Sequence, residues 1–140
     1  MTLDSKFNII LHITTSCNYN CSYCDVVKTN KFLSKQLKQE IFDFIKRNSF
    51  LIEKFKFFWW EPLLAWKDIK QIIDETFPYI WENFEIVTNT SLLNDKITNY
   101  FSKYFKILFF SIDSENFFNF KKVEELVKKK IIYKISFILI

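Results

Sequence analysis

Apolar residues in this chain fall into short continuous runs separated by stretches with helical three-and-four spacing. The first run, Phe7-Asn8-Ile9-Ile10-Leu11-His12-Ile13, is bounded by Thr14, Thr15 and Ser16 and reads as a buried strand. Ser34 offers an N-cap oxygen, and Leu37, Ile41, Phe44 and Ile45 recur on one face, predicting a helix over residues 35–48. Phe55-Lys56-Phe57-Phe58-Trp59 is aromatic-rich and predicts a second strand, interrupted by Pro62. Ile69, Ile72, Ile73 and Thr76 then mark a second helix that should end before Pro78. Phe84-Glu85-Ile86-Val87-Thr88 reads as a third strand. Asn94 or Asp95 opens a third helix through Ile97, Tyr100, Phe101 and Tyr104, and Ile107-Leu108-Phe109-Phe110-Ser111 follows as a fourth strand. Ser114 leads into a fourth helix with Phe117, Phe120, Val123 and Val127, and Ile131 to Ile140 closes the chain as a fifth strand.

Strands and helices that alternate at intervals of about 25 residues indicate βα units on a parallel sheet, an α/β fold. Right-handed crossovers would curl five such units into part of a barrel. A complete eightfold barrel needs about 250 residues, so 140 residues predict a partial (β/α) barrel.

Composition narrows the class. Hydrophobic residues at 49% and charged residues at 26% suit one globular core. No run of about eighteen apolar residues occurs, so no membrane partner is expected. Met1-Thr2-Leu3-Asp4-Ser5-Lys6 lacks the pattern of a secretory signal, which leads to a cytoplasmic, reducing location as the expectation. The net charge of +4 comes from scattered lysines; the densest cluster, Lys128-Lys129-Lys130, reads as a solvated helix end rather than a nucleic-acid surface. One feature is abnormal: the chain has no glycine, where average usage predicts roughly ten.

All three cysteines lie in Cys17-Asn18-Tyr19-Asn20-Cys21-Ser22-Tyr23-Cys24. An odd count forbids a closed disulfide set, and the tight spacing suits a ligand set. Thiolates select zinc or iron–sulfur clusters. A structural zinc takes four protein ligands; His12 could supply the fourth but, inside an apolar run, reads as a packed strand histidine. Three cysteines and an open corner suit a [4Fe–4S] cluster, one iron of which stays free for a substrate or cofactor.

The Cys-x-x-x-Cys-x-x-Cys motif, with Tyr23 before its last cysteine and the Phe7–Ile13 run leading into it, resembles the cluster loop of the radical S-adenosylmethionine (SAM) enzymes. Glu61-Pro62-Leu63-Leu64 is similar to the second half of that family's Gly-Gly-Glu-Pro motif. Thr88-Asn89 resembles its Thr-Asn-Gly at the third strand exit, and Ser111-Ile112-Asp113 its Ser-Ile-Asp-Gly at the fourth. The resemblance spans residues 7–140 and implies a six-unit open barrel, here with five units and the sixth missing. It also implies that residues 1–140 are the N-terminal fragment of such a core domain, ending on the unpaired apolar strand Ile138-Leu139-Ile140.

The same resemblance implies the chemistry. Cys17, Cys21 and Cys24 would hold the cluster, and the amino and carboxylate groups of SAM would chelate its fourth iron. Tyr23, Trp59, Trp60, Glu61, Pro62, Thr88, Asn89, Ser111 and Asp113 take the positions of cofactor-contacting residues, with the Glu61 segment at the methionine amino group. Reductive cleavage of SAM would yield a 5′-deoxyadenosyl radical that abstracts hydrogen from a substrate, and no acid–base catalytic residue is required. A flavodoxin or ferredoxin is the implied electron donor. The Glu-Pro-Leu-Leu style is similar to the branch that modifies peptides or proteins and has further cluster domains downstream.

Departures keep other readings open. Trp59 and Trp60 stand at two glycine positions of the family, and Thr90 and Ser114 at two more. Glycine there permits close backbone approach to a ligand, which two indoles should obstruct. Either the chain is a decayed member with a blocked pocket, or UGA codons that mean glycine in one genetic code have been read as tryptophan in another. A remnant barrel that keeps a cluster or metal as a binding module is the second function class. A zinc-binding structural domain, with His12 or Asp25 as fourth ligand, is the third.

Overall fold

The computed structural model describes residues 5–81, 83–129 and 134–139. Five strands, β1 (Phe7–Leu11), β2 (Ile52–Phe57), β3 (Phe84–Thr88), β4 (Phe105–Ile112) and β5 (Lys134–Leu139), form one sheet in the order 1-2-3-4-5. Every neighbouring pair is parallel. The crossovers are α1 (Lys35–Asn48), α2 (Trp66–Ile80), α3 (Asp95–Tyr104) and α4 (Phe120–Lys128). Sequential parallel strands joined by helices make a partial βα barrel, as the alternating pattern predicted.

Register divides the sheet into two faces. Phe55 pairs with Phe84, Phe57 with Ile86, Ile86 with Leu108 and Thr88 with Phe110, so these residues share a face. Phe55, Phe57, Phe84, Ile86, Leu108 and Phe110 are fully buried there. The helices close over that face with Phe42 and Ile45 of α1, Ile69, Ile72 and Ile73 of α2, Phe101 of α3 and Leu126 of α4. Each such side chain contributes about 1.5–3 kcal/mol of burial, so this layer is the main source of stability. Ser34, Asn94 and Asn119 cap α1, α3 and α4 by accepting from Leu37 N (3.1 Å), Ile97 N (3.0 Å) and Lys122 N (3.2 Å). Each cap is worth about 1 kcal/mol.

The opposite face is mixed. Lys54 and Lys56 of β2 flank the buried Glu85 of β3 at 3.3 and 3.9 Å, and the Lys56 ammonium lies 4.1 Å from the centre of the Phe109 ring. Toward the carboxyl ends of the strands this face continues into Phe58, Val87, Asn89 and Ser111, which line a cavity.

Several boundaries differ from the sequence expectation. β1 stops at Leu11, whose carbonyl accepts from Phe58 N (3.2 Å). Ile13 and Thr14 are then buried consecutively, which breaks the strand alternation, and His12 is exposed rather than packed. β2 begins at Ile52, because Ile52 pairs with Phe7 despite the polar Glu53-Lys54 that follows. It ends at Phe57, since Trp59 takes positive φ, which no strand accommodates. β4 runs Phe105–Ile112, longer at both ends than expected, because Phe105 leaves α3 already extended. Helix α2 runs through Pro78 to Ile80. Proline there removes one N–H from the last turn only, and Trp81 N still closes the helix on Phe77 O at 2.8 Å. α4 starts at Phe120, because Asp113 Oδ1 draws Glu115 N (2.8 Å) and Asn116 N (2.9 Å) into a turn that delays the helix. Of the fifth predicted strand, positions 131–133 and 140 lie outside the described residues.

Candidate cofactor site

The cysteine segment is a loop pinched at its base. Thr15 N donates to Lys31 O (2.9 Å), Thr29 N to Thr15 O (3.2 Å) and Ser16 Oγ to Asn30 Oδ1 (3.1 Å). The residues between project over the strand exits. Cys24 N donates to Cys21 O (3.1 Å), a tight turn between the second and third cysteines. The Lys28 ammonium reaches back to Tyr19 O and to Asn20 Oδ1 (3.3 Å), fixing the outer limb.

Three strand exits hold this loop. After β2, Glu61 N donates to Ser16 O (3.0 Å) and the Trp60 indole N–H to Val27 O (3.0 Å). After β3, Asn89 Nδ2 donates to Asn18 Oδ1 (3.0 Å), and Asn18 Nδ2 to Ser91 Oγ (2.8 Å). After β4, Ser22 N donates to Glu115 Oε2 (2.9 Å), Asn116 Nδ2 to Cys21 Sγ (3.1 Å) and Tyr19 OH to Phe117 O (2.7 Å).

Loop and exits enclose a cavity of about 310 Å³ lined by Cys17, Cys21 and Cys24. Tyr23, Trp59, Trp60, Asn89, Ser111 and Asp113 also line it. Nine residues expected from sequence to meet a cluster or cofactor thus share one space, drawn from segments up to 96 positions apart, Cys17 to Asp113. Glu61, Pro62 and Thr88 are not among the lining residues; all three are buried behind the wall. His12 and Asp25 do not line it either; His12 lies 5.9 and 5.5 Å from the Trp59 and Trp60 rings.

Glu61 is fully buried, and its carboxylate is the knot between β2 and β3. Oε1 accepts from Leu63 N (3.0 Å) and Thr88 Oγ1 (2.8 Å), and Oε2 from Asn89 N (2.8 Å). Burial pushes its pKa up to about 7, although those three hydrogen bonds pull it down. Partial burial also raises the Cys17 thiol, with a smaller contribution from the Glu61 charge. Asp113 loses solvent, which would raise its carboxyl, but hydrogen bonds from Tyr23, Glu115 N and Asn116 outweigh this and hold it low. Desolvation, then hydrogen bonds to Cys21 and Asp113, push the Tyr23 phenol up.

Among the described residues no three His, Cys, Asp or Glu side chains converge on a point that one metal ion could occupy. A [4Fe–4S] cluster makes a different demand, one thiolate per iron around a polyatomic body. Three thiols distributed over the wall of one cavity fit that demand.

The sequence reading missed Tyr19, Val26, Lys28, Phe58 and Val87 on the wall, and Asn18, Glu115 and Asn116 in the clamp. Strand parity would have found Phe58 and Val87. The clamp left only one local signal, the Asp113-Ser114 turn start, which does not say what the turn touches.

Known proteins resemble this chain in sequence and in fold. A family model described as Radical SAM superfamily matches residues 11–137. The radical SAM cyclopropyl synthase TigE of Paramaledivibacter caminithermalis is 30% identical over 77% of this chain and 27% of its own length. An uncharacterized protein of Methanocaldococcus jannaschii is 31% identical over 68% of this chain and 34% of its own. The chain therefore spans about a quarter to a third of these relatives. The structure of BtrN in complex with AdoMet and 2-DOIA superposes with a TM-score of 0.74 at 20% identity, covering 94% of this chain and 58% of that one. That of anSMEcpe with bound AdoMet and Cp18Cys peptide superposes with a TM-score of 0.68 at 18% identity, covering 96% and 42%. These structures share the fold, and among the described residues no helix is long and apolar enough to cross a membrane. With a family match across nearly all its length, this chain belongs to the radical SAM superfamily.

Proposed function

We propose that Cys17, Cys21 and Cys24 hold a [4Fe–4S] cluster and that S-adenosylmethionine occupies the adjoining cavity of about 310 Å³. The observation that supports this best is the meeting of the three thiols with Tyr23, Asn89, Ser111 and Asp113 on one wall. When bound, the reduced cluster and SAM would supply hydrogen-abstracting radical chemistry at the substrate. The chain's own residues bind, orient and exclude water. Tyr23 offers an aromatic ring for the adenine. Asn89, Ser111 and Asp113 offer polar groups for ribose and carboxylate. The main chain at residues 59–61 offers carbonyls for the methionine ammonium, and Pro62, at the start of a short 3-10 turn, fixes its direction. Glu61 and Thr88 act from behind by fixing Asn89 N.

The finer reading is a peptide-modifying enzyme with downstream cluster domains, reduced by a flavodoxin or ferredoxin in the cytoplasm. A fold neighbour whose structure holds a peptide supports a peptide substrate.

A second reading, an inactive remnant barrel, is favoured by one observation: the Trp59 and Trp60 indoles form part of the cavity wall. The space left, about 310 Å³, is at the lower end of the ~300–1,000 Å³ usual for small-molecule pockets.

Electron paramagnetic resonance on anaerobically reconstituted, dithionite-reduced protein, with and without SAM, separates the two. A [4Fe–4S]⁺ signal that changes with SAM supports the enzyme. A signal indifferent to SAM supports the remnant, and no cluster in the wild type would remove the role given to the three cysteines.

A further inference from the structure

Five described residues that are not glycine have positive φ: Asn30 (52°), Trp59 (69°), Trp60 (50°), Trp81 (55°) and Thr90 (67°). Left-handed backbone brings Cβ against the following carbonyl oxygen, so it belongs to glycine and, less often, to asparagine. For a bulky side chain it is a true outlier. Three of the chain's four tryptophans nevertheless sit there, in a chain with no glycine at all.

The fourth tryptophan is a control within the same molecule. Trp66 has helical backbone (φ −51°, ψ −40°), and its indole packs edge-on against Tyr100 at 5.1 Å and Phe101 at 6.1 Å. Its side chain is used as a tryptophan should be. Trp81 is the reverse case. It ends α2 with φ 55° and ψ −143°, a combination near the region reserved for glycine, at the helix-terminal place where glycine is preferred. The residue is 68% exposed, with Phe77 at 6.1 Å as its aromatic neighbour. Trp59 is likewise 44% exposed. Trp60 makes one polar contact, to Val27 O, but its ring stands in the cofactor cavity.

Thr90 separates from this group. Its Oγ1 accepts from Asn119 N at 2.9 Å, and the residue is fully buried, so a threonine side chain serves a purpose there. Asn30 has a residue type that tolerates the conformation, and its Oδ1 accepts from Ser16 Oγ.

We infer that positions 59, 60 and 81 are glycine in the polypeptide its host makes, encoded by UGA, and that position 66 is a genuine tryptophan encoded by UGG. Position 81 lies far from the cavity and outside every cofactor motif, so backbone geometry alone brings it into the set. The consequence for the cavity rests on the proposed function: glycines at 59 and 60 remove two indoles from its wall and leave the main chain open to a ligand.

The test reads the gene and the protein. Codons 59, 60 and 81 should be UGA, codon 66 UGG, and proteolytic peptides from the host protein should have glycine masses at the first three positions. UGG at any of codons 59, 60 or 81, or tryptophan masses there, would overturn the assignment. UGA at codon 66 would overturn the division of the four tryptophans. A Trp59→Gly/Trp60→Gly/Trp81→Gly chain should bind SAM at least tenfold more tightly than the tryptophan form, measured by titration on the reconstituted protein. Glycine masses without that gain would uphold the assignment and count instead against the cavity as a cofactor site.

Discussion

The side-chain amide of Asn116 donates to the sulfur of Cys21 at 3.1 Å, across 95 residues of sequence. Its other hydrogen goes to Asp113 Oδ1 at 3.1 Å, and Asp113 also accepts from Asn116 N, so the amide is oriented before any ligand binds. Hydrogen bonds to cluster sulfurs raise reduction potential by favouring the more negative, reduced state. On the proposed cluster at Cys21, Asn116→Leu should therefore lower the midpoint potential of the reconstituted protein. A difference of about 1 kcal/mol corresponds to on the order of 40 mV for one electron. A redox titration followed by electron paramagnetic resonance measures it, and Asn116→Gln should restore part of the shift. An unchanged potential would leave Asn116 with a purely structural role.

Glu61 makes stability depend on pH. Its carboxyl is raised from 4.5 to about 7 in the fold, so the native state binds this proton more tightly than the unfolded chain. The stability contribution is complete below about pH 4.5 and is lost as pH rises through about 7. The full change amounts to about 3 kcal/mol. Thermal unfolding of the apoprotein should show Tm falling from pH 5 to pH 8, and Glu61→Gln should flatten that slope. The groups held low, Asp113 and Glu115, act at more acid pH and leave this window clear.

Thr88 is one of the three donors to that carboxylate. Thr88→Val keeps the shape and removes the hydroxyl, leaving Oε1 with Leu63 N as its remaining partner. Destabilisation of about 1–3 kcal/mol is expected near neutral pH, with a smaller loss at pH 5, where Glu61 is protonated. Denaturant titrations at the two pH values test this; equal losses would mean that Thr88 acts through packing and the hydrogen bond its Oγ1 accepts from Thr90 N (3.2 Å), not through Glu61.

Opposite effects are expected from one substitution at two tryptophans. Trp81→Gly should stabilise the chain by about 1–2 kcal/mol by relieving left-handed backbone. Trp66→Gly should destabilise it by at least about 2 kcal/mol, through lost packing on Tyr100 and Phe101 and through glycine in a helix. Chemical denaturation of both variants checks the sign of each change.

Much of this protein is local information. The alternation of apolar runs and helical stripes gives the order of strands and helices, because burial of one face requires those periods. Ser34 and Asn94 mark helix starts because an N-cap bond spans three residues. The spacing of Cys17, Cys21 and Cys24 points to a cluster because three thiolates in eight residues can surround one body. What the periodicity misplaced were ends where a local side-chain bond, or the loss of one backbone bond, competes with it. Asp113 delays α4, and one lost bond near the end of α2 lets the helix pass Pro78.

The site as a space was decided by the tertiary structure alone. Glu61 is legible as an acidic residue at a strand exit, but its burial and its three donors follow from how β2 and β3 lie side by side. Asn18, Glu115 and Asn116 became parts of a clamp only when parallel strands brought exits 71 to 98 residues distant under one loop. The sequence can show that tryptophan is present and glycine absent. The resemblance marks Trp59 and Trp60 as standing at glycine positions; only the backbone, by placing residue 81 with them where a Cβ collides with the following carbonyl, adds Trp81 and sets Trp66 apart.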